Sequence, residues 1–511
     1  MADRMGATAS NVRGALPAWS QAEKLALGLV LLLVALTFVQ VAGFGFVNWD
    51  DRDLVLQNPL IVRPGSVPLL HHLTTPESGY PIPVTILSYR IEHALAGFDH
   101  PWLQHLVNLF FHLGSVALVF GIARIVGASV AGAALAGSIV GLHPAVGEPL
   151  SWLTGRKDVL ALFFMLATLR LALSGSRSPR LHLARGAAFV LALGSKPVAV
   201  ALVPMLVVLA FVRQDPAQPW RRRLTAATKQ NAFEIAVALV FVPAAYLSHR
   251  AFGGLRDGEQ VATSLRSAWY GLGAHLAILV GIEPPCVQHL VKLPPRFTAR
   301  FDLLPLALAG ATVALLHQLR KPARVTASLA LVWSALAYLP SAGLVPMRRF
   351  IADSYVYPAL PGVGIAFGMA LTELLARAPN GLRLVRSLIV PIVAVGLALL
   401  AVPSSGRFRN TASLWADAME RNPASWQMCR NWAVAMVELG GPAKSLAATD
   451  TCIERFGRDH FEKNRAVALF DLGRAEEAVL WMRQALAHNP RDTNVPPELL
   501  RRAKEPARAT R

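Results

Sequence analysis

Long apolar runs recur along this chain, and several approach the ~20 residues that cross a hydrocarbon core. The first covers about 25–46. Others follow at about 106–122, 130–142, 159–173, 186–193, 198–212, 232–247, 303–316, 325–339, 355–375 and 387–402. Of 511 residues, 54% are hydrophobic and only 16% charged, with a mean hydropathy of +0.43. A soluble protein of this length carries more charge and interrupts its apolar runs more often. The chain is therefore expected to be mainly α, a polytopic helical membrane protein. The first run is longer than a signal-peptide core and has no small-residue cleavage site after it, so it reads as a retained anchor.

Charge then orients the spans. The formal net charge of +19 does not point to nucleic acid, because Arg and Lys collect in loops that stay in the cytoplasm. Residues 1–24, with Arg4, Arg13 and Lys24, suit a cytoplasmic start. The loop with Arg213, Arg221, Arg222, Arg223 and Lys229 is the strongest cytoplasmic marker. The first loop, 47–105, holds Asp50, Asp51, Asp53, Glu77, Glu92 and Asp99 and reads as extracytoplasmic. Pro59, Pro64, Pro68, Pro76, Pro81 and Pro83 break it into short helices expected along the interface. The segment Ala268–Ile282 is apolar enough to cross, but the basic loops after it fall inside only if it dips into or lies along the interface. That choice gives about eleven spans over 25–403, with the amino terminus inside and the carboxyl terminus outside.

Beyond the last run the composition turns polar. Asn431-Trp432-Ala433 with Gly440 returns as Asn464-Arg465-Ala466 with Gly473, a period of 33. With Ala475, Ala478, Ala485 and Asn489-Pro490 this resembles a tetratricopeptide repeat over 404–495, which offers a surface to a partner protein. The basic tail, 496–511, is expected to be disordered. Cys286, Cys429 and Cys452 fit no CxxC pattern, so neither a metal site nor a disulfide framework is expected. A Cys429–Cys452 bridge is open only if that region is extracytoplasmic.

Ionisable groups at a membrane edge are functional candidates because burying them is costly. Here they all fall on the outer side of the expected topology. Asp50 and Asp51 follow the first span. His105, Asn108 and His112 share one face of the second, at spacings of three and four. His143, Glu148 and Trp152 follow the third, and Arg156, Lys157 and Asp158 open the fourth. Lys196 sits at a Gly-Ser-Lys-Pro hinge, and Arg348, Arg349, Asp353, Tyr355 and Tyr357 cluster before or at the start of the run at 355–375. A carboxylate over a hydroxyl can act as general base. Cations can stabilise the charge on a departing phosphate. Apolar walls between spans can take a polyprenyl chain. The plainer alternatives are that either aspartate caps a short helix, that the His105 face is ordinary interhelical hydrogen bonding, and that Arg156-Lys157 is an interface anchor. The His105–Asn108–His112 set lacks a third ligand for a metal.

Val47-Asn48-Trp49-Asp50-Asp51 with Asn58-Pro59 resembles the first-loop signature of the transmembrane and tetratricopeptide-repeat family of protein O-mannosyltransferases. The resemblance continues in order through Pro83–Tyr89, the His105–Asn108–His112 face, Leu142-His143-Pro144 with Glu148 and Trp152, and Arg156-Lys157-Asp158. It then takes in Ser195-Lys196-Pro197, Ala352-Asp353 with Tyr355 and Tyr357, and Leu414-Trp415, covering about 46–490. It implies a GT-C fold and a polyprenyl-phosphate sugar donor in a bacterial inner membrane. It also implies inverting transfer of mannose or a similar hexose to a protein hydroxyl on the extracytoplasmic face, where the repeats also lie. By the same analogy Asp50 or Asp51 is the base, and His143, Glu148, Arg156, Lys157, Lys196 and Arg349 line the donor site. His105, Asn108, His112, Asp158, Asp353 and Tyr357 would support them. No cofactor is required by these residues, although divalent ions assist some GT-C enzymes. Two departures stand out: Ile82 replaces an Arg or Tyr, and Ser354 stands where relatives often carry Arg, with Arg348 and Arg349 near enough to substitute. The competing expectations are a GT-C transferase acting on a lipid or envelope glycan, and a non-catalytic scaffold presenting its repeats.

Overall fold

The first apolar run becomes the helix Gln21–Phe38, whose start is fixed by a capping box. The Ser20 hydroxyl accepts from Glu23 N at 3.2 Å, and the Glu23 carboxylate accepts from Ser20 N at 2.7 Å. The computed structural model describes residues 19–63, 68, 76, 79, 81–175, 178–251, 261–290, 296–344, 349–379, 383–489 and 495–505. Residues 1–18, Pro64, Glu77, Arg348, Pro490 and the tail from 506 lie outside them. Among the described residues all regular structure is helical.

Each expected apolar run falls on a helix, but helices and crossings do not correspond one to one. Among the described residues, seven helices are long and apolar enough to cross a membrane: Gln21–Gly43, Trp102–Ile125, Ala232–Ala251, Ala299–Gln318, Lys321–Ser341, Asp353–Arg377 and Ser387–Gly406. The bent pair Val130–Leu142 and Pro144–Ser151, at 46°, makes an eighth if it counts as one span. The runs near 159–173, 186–193 and 198–212 sit on Arg156–Leu173, Pro179–Ser195 and Pro197–Arg213, which do not pass that measure. Pro197 separates the last two, since proline cannot continue the preceding helix. Ala268–Ile282 forms most of a helix, Val261–Leu279, that is not among the seven. The chain is a multi-pass membrane protein.

The chain divides into two units. One comprises Met1–Phe46, Asp50–Pro285 and Val291–Gly406; the other comprises Val47–Trp49, Cys286–Leu290 and Arg407–Arg511. In the first, Val130–Leu142 packs on Leu360–Arg377 through small residues. A Cβ added at Gly364 would lie 2.9 Å from Ala136 O, and one at Gly368 would overlap Gly132 O. Backbones can approach this closely only where side chains are absent, the usual device for helix packing in lipid. The bend after Leu142 follows from Pro144. His143 covers the break, its Nδ1 accepting from Ala145 N at 3.1 Å.

In the second unit, Thr411–Arg421, Trp426–Ala435, Val437–Phe456, Glu462–Asp471, Ala475–His488 and Pro497–Lys504 each pack on the next. Ala433, Ala466 and Ala478 are fully buried at those contacts. The Val437–Phe456 helix is broken at Gly440 and Gly441, the latter at φ +66° ahead of Pro442. Two expectations are corrected here. Cys429 and Cys452 form a disulfide, with Cα atoms 5.9 Å apart, because the helices carrying them pack side by side and bring together positions 23 residues apart. The segment after 496 is not wholly irregular, since Pro497–Lys504 is helical and buries Leu499 and Ala503 in the core of the last helices.

Candidate functional site

The first unit gathers most of the singled-out ionisable groups around the turn between the bent pair and Arg156–Leu173. Gly147–Ser151, Leu153–Gly155 and Arg156–Leu173 follow one another with hardly a spacer. Gly155 makes that possible, because any Cβ there would overlap the Pro149 carbonyl. The turn sets Glu148 at one end and Lys157 and Asp158 at the other.

Glu148 is 1% exposed and accepts both arms of Arg349, at 2.6 and 2.9 Å, and the Ser354 hydroxyl at 2.8 Å. A bidentate guanidinium–carboxylate pair is strongly directional. Burial opposes the Arg349 charge, but Glu148 outweighs it and holds the guanidinium pKa above its ordinary value. The Arg349 carbonyl also accepts from Tyr355 OH at 3.1 Å. Lys196 Nζ pairs with Asp158 Oδ1 at 2.5 Å and lies 6.0 Å from the Tyr355 ring centre. Lys157 Nζ donates to Thr154 O at 2.9 Å and lies 4.6 Å from the Trp152 ring centre, and an ammonium has two further N–H groups to offer. Asp50, Asp158, Lys196 and Glu148 all act electrostatically on Lys157, Lys196 acts on Glu148, and Asp353 acts on Arg349 and His143. Asp50, Glu148, Lys157, Asp158, Lys196, Arg349 and Asp353 thus form one connected set of charges.

The two aspartates separate by exposure. Asp50 is exposed, whereas Asp51 is 0% exposed at the head of Arg52–Leu56 and within electrostatic reach of the Tyr89 phenol. Burial, with Asp51 and Glu92 adding to it, raises the Tyr89 pKa well above the phenol range. Of the two, only Asp50 is open to solvent.

Other expected groups are engaged elsewhere. Arg156, expected among the cations for a donor phosphate, is 0% exposed and sealed within protein. Its Nε donates to Asn108 Oδ1, its Nη1 to Ser88 Oγ and Glu92 Oε1, and its Nη2 to Glu92 Oε2 and Gln104 O. Its guanidinium lies 4.7 Å from the Tyr89 ring centre. His143, expected at the donor site, uses both ring nitrogens on backbone, with Nε2 donating to Leu279 O at 3.0 Å. His112 Nε2 donates to Gly141 O at 3.1 Å, leaving Nδ1 to accept from Tyr357 OH at 2.9 Å. His105 packs edge-on against Phe44, with ring centres 6.1 Å apart. The His105–Asn108–His112 face therefore lies inside the bundle, each member meeting a different neighbour. Among the described residues, no group of three or more His, Cys, Asp or Glu side chains is placed to hold a metal ion.

Sequence reasoning places neither Glu92 nor Ser354 among the site residues; Ser354 stands out only as a departure from the relatives. Glu92 counted only toward the acid balance of a loop, yet Ser88 and Glu92 lie four apart on one helical face, a spacing that could have marked it. Burial raises its carboxyl pKa, and Arg156 works against that rise. Beside the charges lies an apolar cavity of about 410 Å³ between Val261–Leu279, Leu304–Gln318, Lys321–Tyr338 and Leu360–Arg377. Leu279 and Val356 connect it to the site: Leu279 O receives His143, and Val356 precedes Tyr357.

No protein-family model matches the chain. It is 31% identical over 175 residues to Protein O-mannosyl-transferase Tmtc2 of Drosophila melanogaster, covering 31% of this chain and 18% of that protein. It is 32% identical over 148 residues to Tmtc1 of the same fly, covering 27% and 17%. With human Protein O-mannosyl-transferase TMTC2 it shares 35% over 88 residues, covering 17% and 10%. The matches thus span less than a fifth of these relatives' length. They are to protein O-mannosyl-transferases, the family that the first-loop and following motifs resemble. Among solved structures, an Archaeoglobus fulgidus oligosaccharyltransferase tethered to an acceptor peptide aligns with a TM-score of 0.46 at 14% identity, covering 77% of this chain and 56% of that one. ArnT from Cupriavidus metallidurans bound to undecaprenyl phosphate aligns with a TM-score of 0.41 at 17% identity, covering 88% and 79%.

Proposed function

We propose that the chain is an inverting membrane glycosyltransferase of the GT-C kind. It moves mannose or a similar hexose from a polyprenyl phosphate to a protein hydroxyl on the extracytoplasmic face of a bacterial inner membrane. The carrying observation is the connected set of charges in which exposed Asp50 lies within electrostatic reach of Lys157, together with the Lys196–Asp158 and Arg349–Glu148 pairs. The local likeness to protein O-mannosyl-transferases supports the reading.

In this reaction Asp50 takes the proton of the acceptor hydroxyl. The freed oxygen attacks the anomeric carbon from the face opposite the phosphate, and the bond from that carbon to the phosphate oxygen breaks. The electron pair leaves with the phosphate, whose added charge is met by Lys157, Lys196 and Arg349. The carboxylates paired with Lys196 and Arg349 hold those cations in place before donor arrives, so little reorganisation accompanies the step. Asp51, buried, orients the loop that carries Asp50. The apolar cavity accepts the isoprenoid chain. The disulfide of the second unit supports an extracytoplasmic carboxyl terminus, since such bonds persist in oxidising compartments.

Purified full-length chain in lipid, given polyprenyl-phosphate mannose and Ser/Thr peptides, should release polyprenyl phosphate and form an α-configured glycopeptide from a β-linked donor. Transfer to lipid or glycan with none to peptide would replace the acceptor. Absence of transfer to any acceptor, from any polyprenyl-phosphate hexose, would sink the reading.

A further inference from the structure

Arg156 and Glu92 stand outside the reaction just described, yet Arg156 donates to five protein acceptors, two of them on Glu92. The guanidinium reaches two parts of Pro83–Ala96, through Ser88 and Glu92, and two parts of Trp102–Ile125, through Gln104 O and Asn108. The groups that hold Arg156 also hold the turn preceding it. Asn108 Nδ2 reaches Leu150 O and Leu153 O, each at 3.4 Å, and Tyr89 OH donates to Leu153 O at 2.6 Å. Tyr89 also lies within electrostatic reach of Asp51.

We infer that Arg156 and Glu92 are positioning residues, a buried clamp that locks Pro83–Ala96 and Trp102–Ile125 onto the 148–158 turn and so sets where Lys157 and Asp158 stand relative to Asp50. Neither touches the donor. The inference rests on the proposed transferase reaction for its catalytic consequence, but its structural content does not. Two facts favour a clamp over a phosphate contact. All three guanidinium nitrogens donate to protein groups, and the side chain is wholly buried. Its sequence neighbour Lys157 differs on both counts, being partly exposed and bonded to a single backbone carbonyl. Burying such a pair is a poor way to gain stability, since desolvation offsets the attraction, whereas it does select one geometry over its neighbours.

The test uses the full-length chain in lipid nanodiscs. Changing Glu92→Leu together with Arg156→Met removes both charges, so neither is left buried alone. The double variant should melt near the wild type. Its kcat should fall about 100-fold, as expected when reacting groups shift by an ångström. Its donor KM should stay within about threefold, because no binding contact has gone. Amide exchange across 150–158 should speed up about tenfold while that of Glu462–Asp471 is unchanged. Lys157→Met, by contrast, should raise donor KM. Wild-type kcat and exchange in the double variant would overturn the clamp. A rise in donor KM equal to that of Lys157→Met would overturn it too, by making Arg156 a phosphate contact. If the double variant does not fold, Arg156→Lys, which keeps the charge and loses the fork, is read by the same outcomes. A wild type that transfers no sugar overturns the proposed reaction instead, and the exchange comparison then decides the clamp alone.

Discussion

Asp50 and Asp51 are adjacent and chemically identical, yet one is exposed and the other wholly buried. Asp50→Asn should lower kcat by about 10²- to 10⁴-fold, the range for losing a general base, with the melting temperature unchanged. Asp51→Asn should lower the melting temperature as well. If Asp51→Asn removes activity at normal stability while Asp50→Asn stays active, the roles are reversed. A second residue-level prediction concerns Glu148. Replacing it with Ala leaves Arg349 without its bidentate partner in a site where Glu148 is 1% exposed. Breaking such a pair costs about 3–5 kcal/mol, readable as a lowered denaturation midpoint. Arg156 and Lys157 show why spacing alone did not separate these roles. Both are basic residues in the first turn of one helix, but consecutive residues point about 100° apart, so one enters the bundle and the other meets the charge cluster. Without the neighbouring helices, nothing in the sequence says which is which.

At the scale of elements, the apolar runs were legible because hydropathy and helix length obey one constraint, the thickness of the bilayer. Where helices bend or stop was legible only at prolines, such as Pro144 and Pro197. The crossing of Val130–Leu142 with Leu360–Arg377 depends on glycines that report no hydropathy signal. Gly368→Val should clash with Gly132 O and cost about 1–3 kcal/mol or more in a reversible unfolding assay. The same substitution at Gly396, where a Cβ meets nothing, should not. The Cys429–Cys452 bridge was illegible because it follows from the pairing of two helices. For a closed loop of this size, removing it should cost about 3 kcal/mol on the loop-entropy estimate, and Cys429→Ser with Cys452→Ser would read that loss. The His488–Glu462 pair adds a pH-dependent element. Glu462 raises the His488 pKa above 6.5, so its contribution is complete below that value and fades as pH rises through the raised pKa. The stability difference between wild type and His488→Gln should therefore be larger at pH 6 than at pH 8. An equal difference at both would mean that the pair does not form.

On the scale of the whole molecule, charge asymmetry led to an orientation that a reporter can check. Fusions after Lys229 and after Arg407 should report cytoplasm and periplasm respectively. A cytoplasmic signal after Arg407, with cytoplasm still reported after Lys229, would mean that Ala268–Ile282 crosses, and would overturn the reading of the disulfide.

The second unit carries one more consequence. Its helices begin at 411, but it also includes Val47–Trp49 and Cys286–Leu290. Asn48 N donates to Thr411 Oγ1 at 3.0 Å across 363 residues of chain, the Trp49 and Trp415 rings lie tilted with their centres 6.1 Å apart, and Asn422 Nδ2 donates to Gln288 O at 3.0 Å. A ribosome delivers those pieces in the opposite order from their use. The earliest tripeptide must wait, unpaired, until nearly four-fifths of the polypeptide has been threaded into the bilayer. Loops that long close slowly, so biogenesis should end with this closure, and a fragment beginning at 407 would be released missing pieces of its own interior.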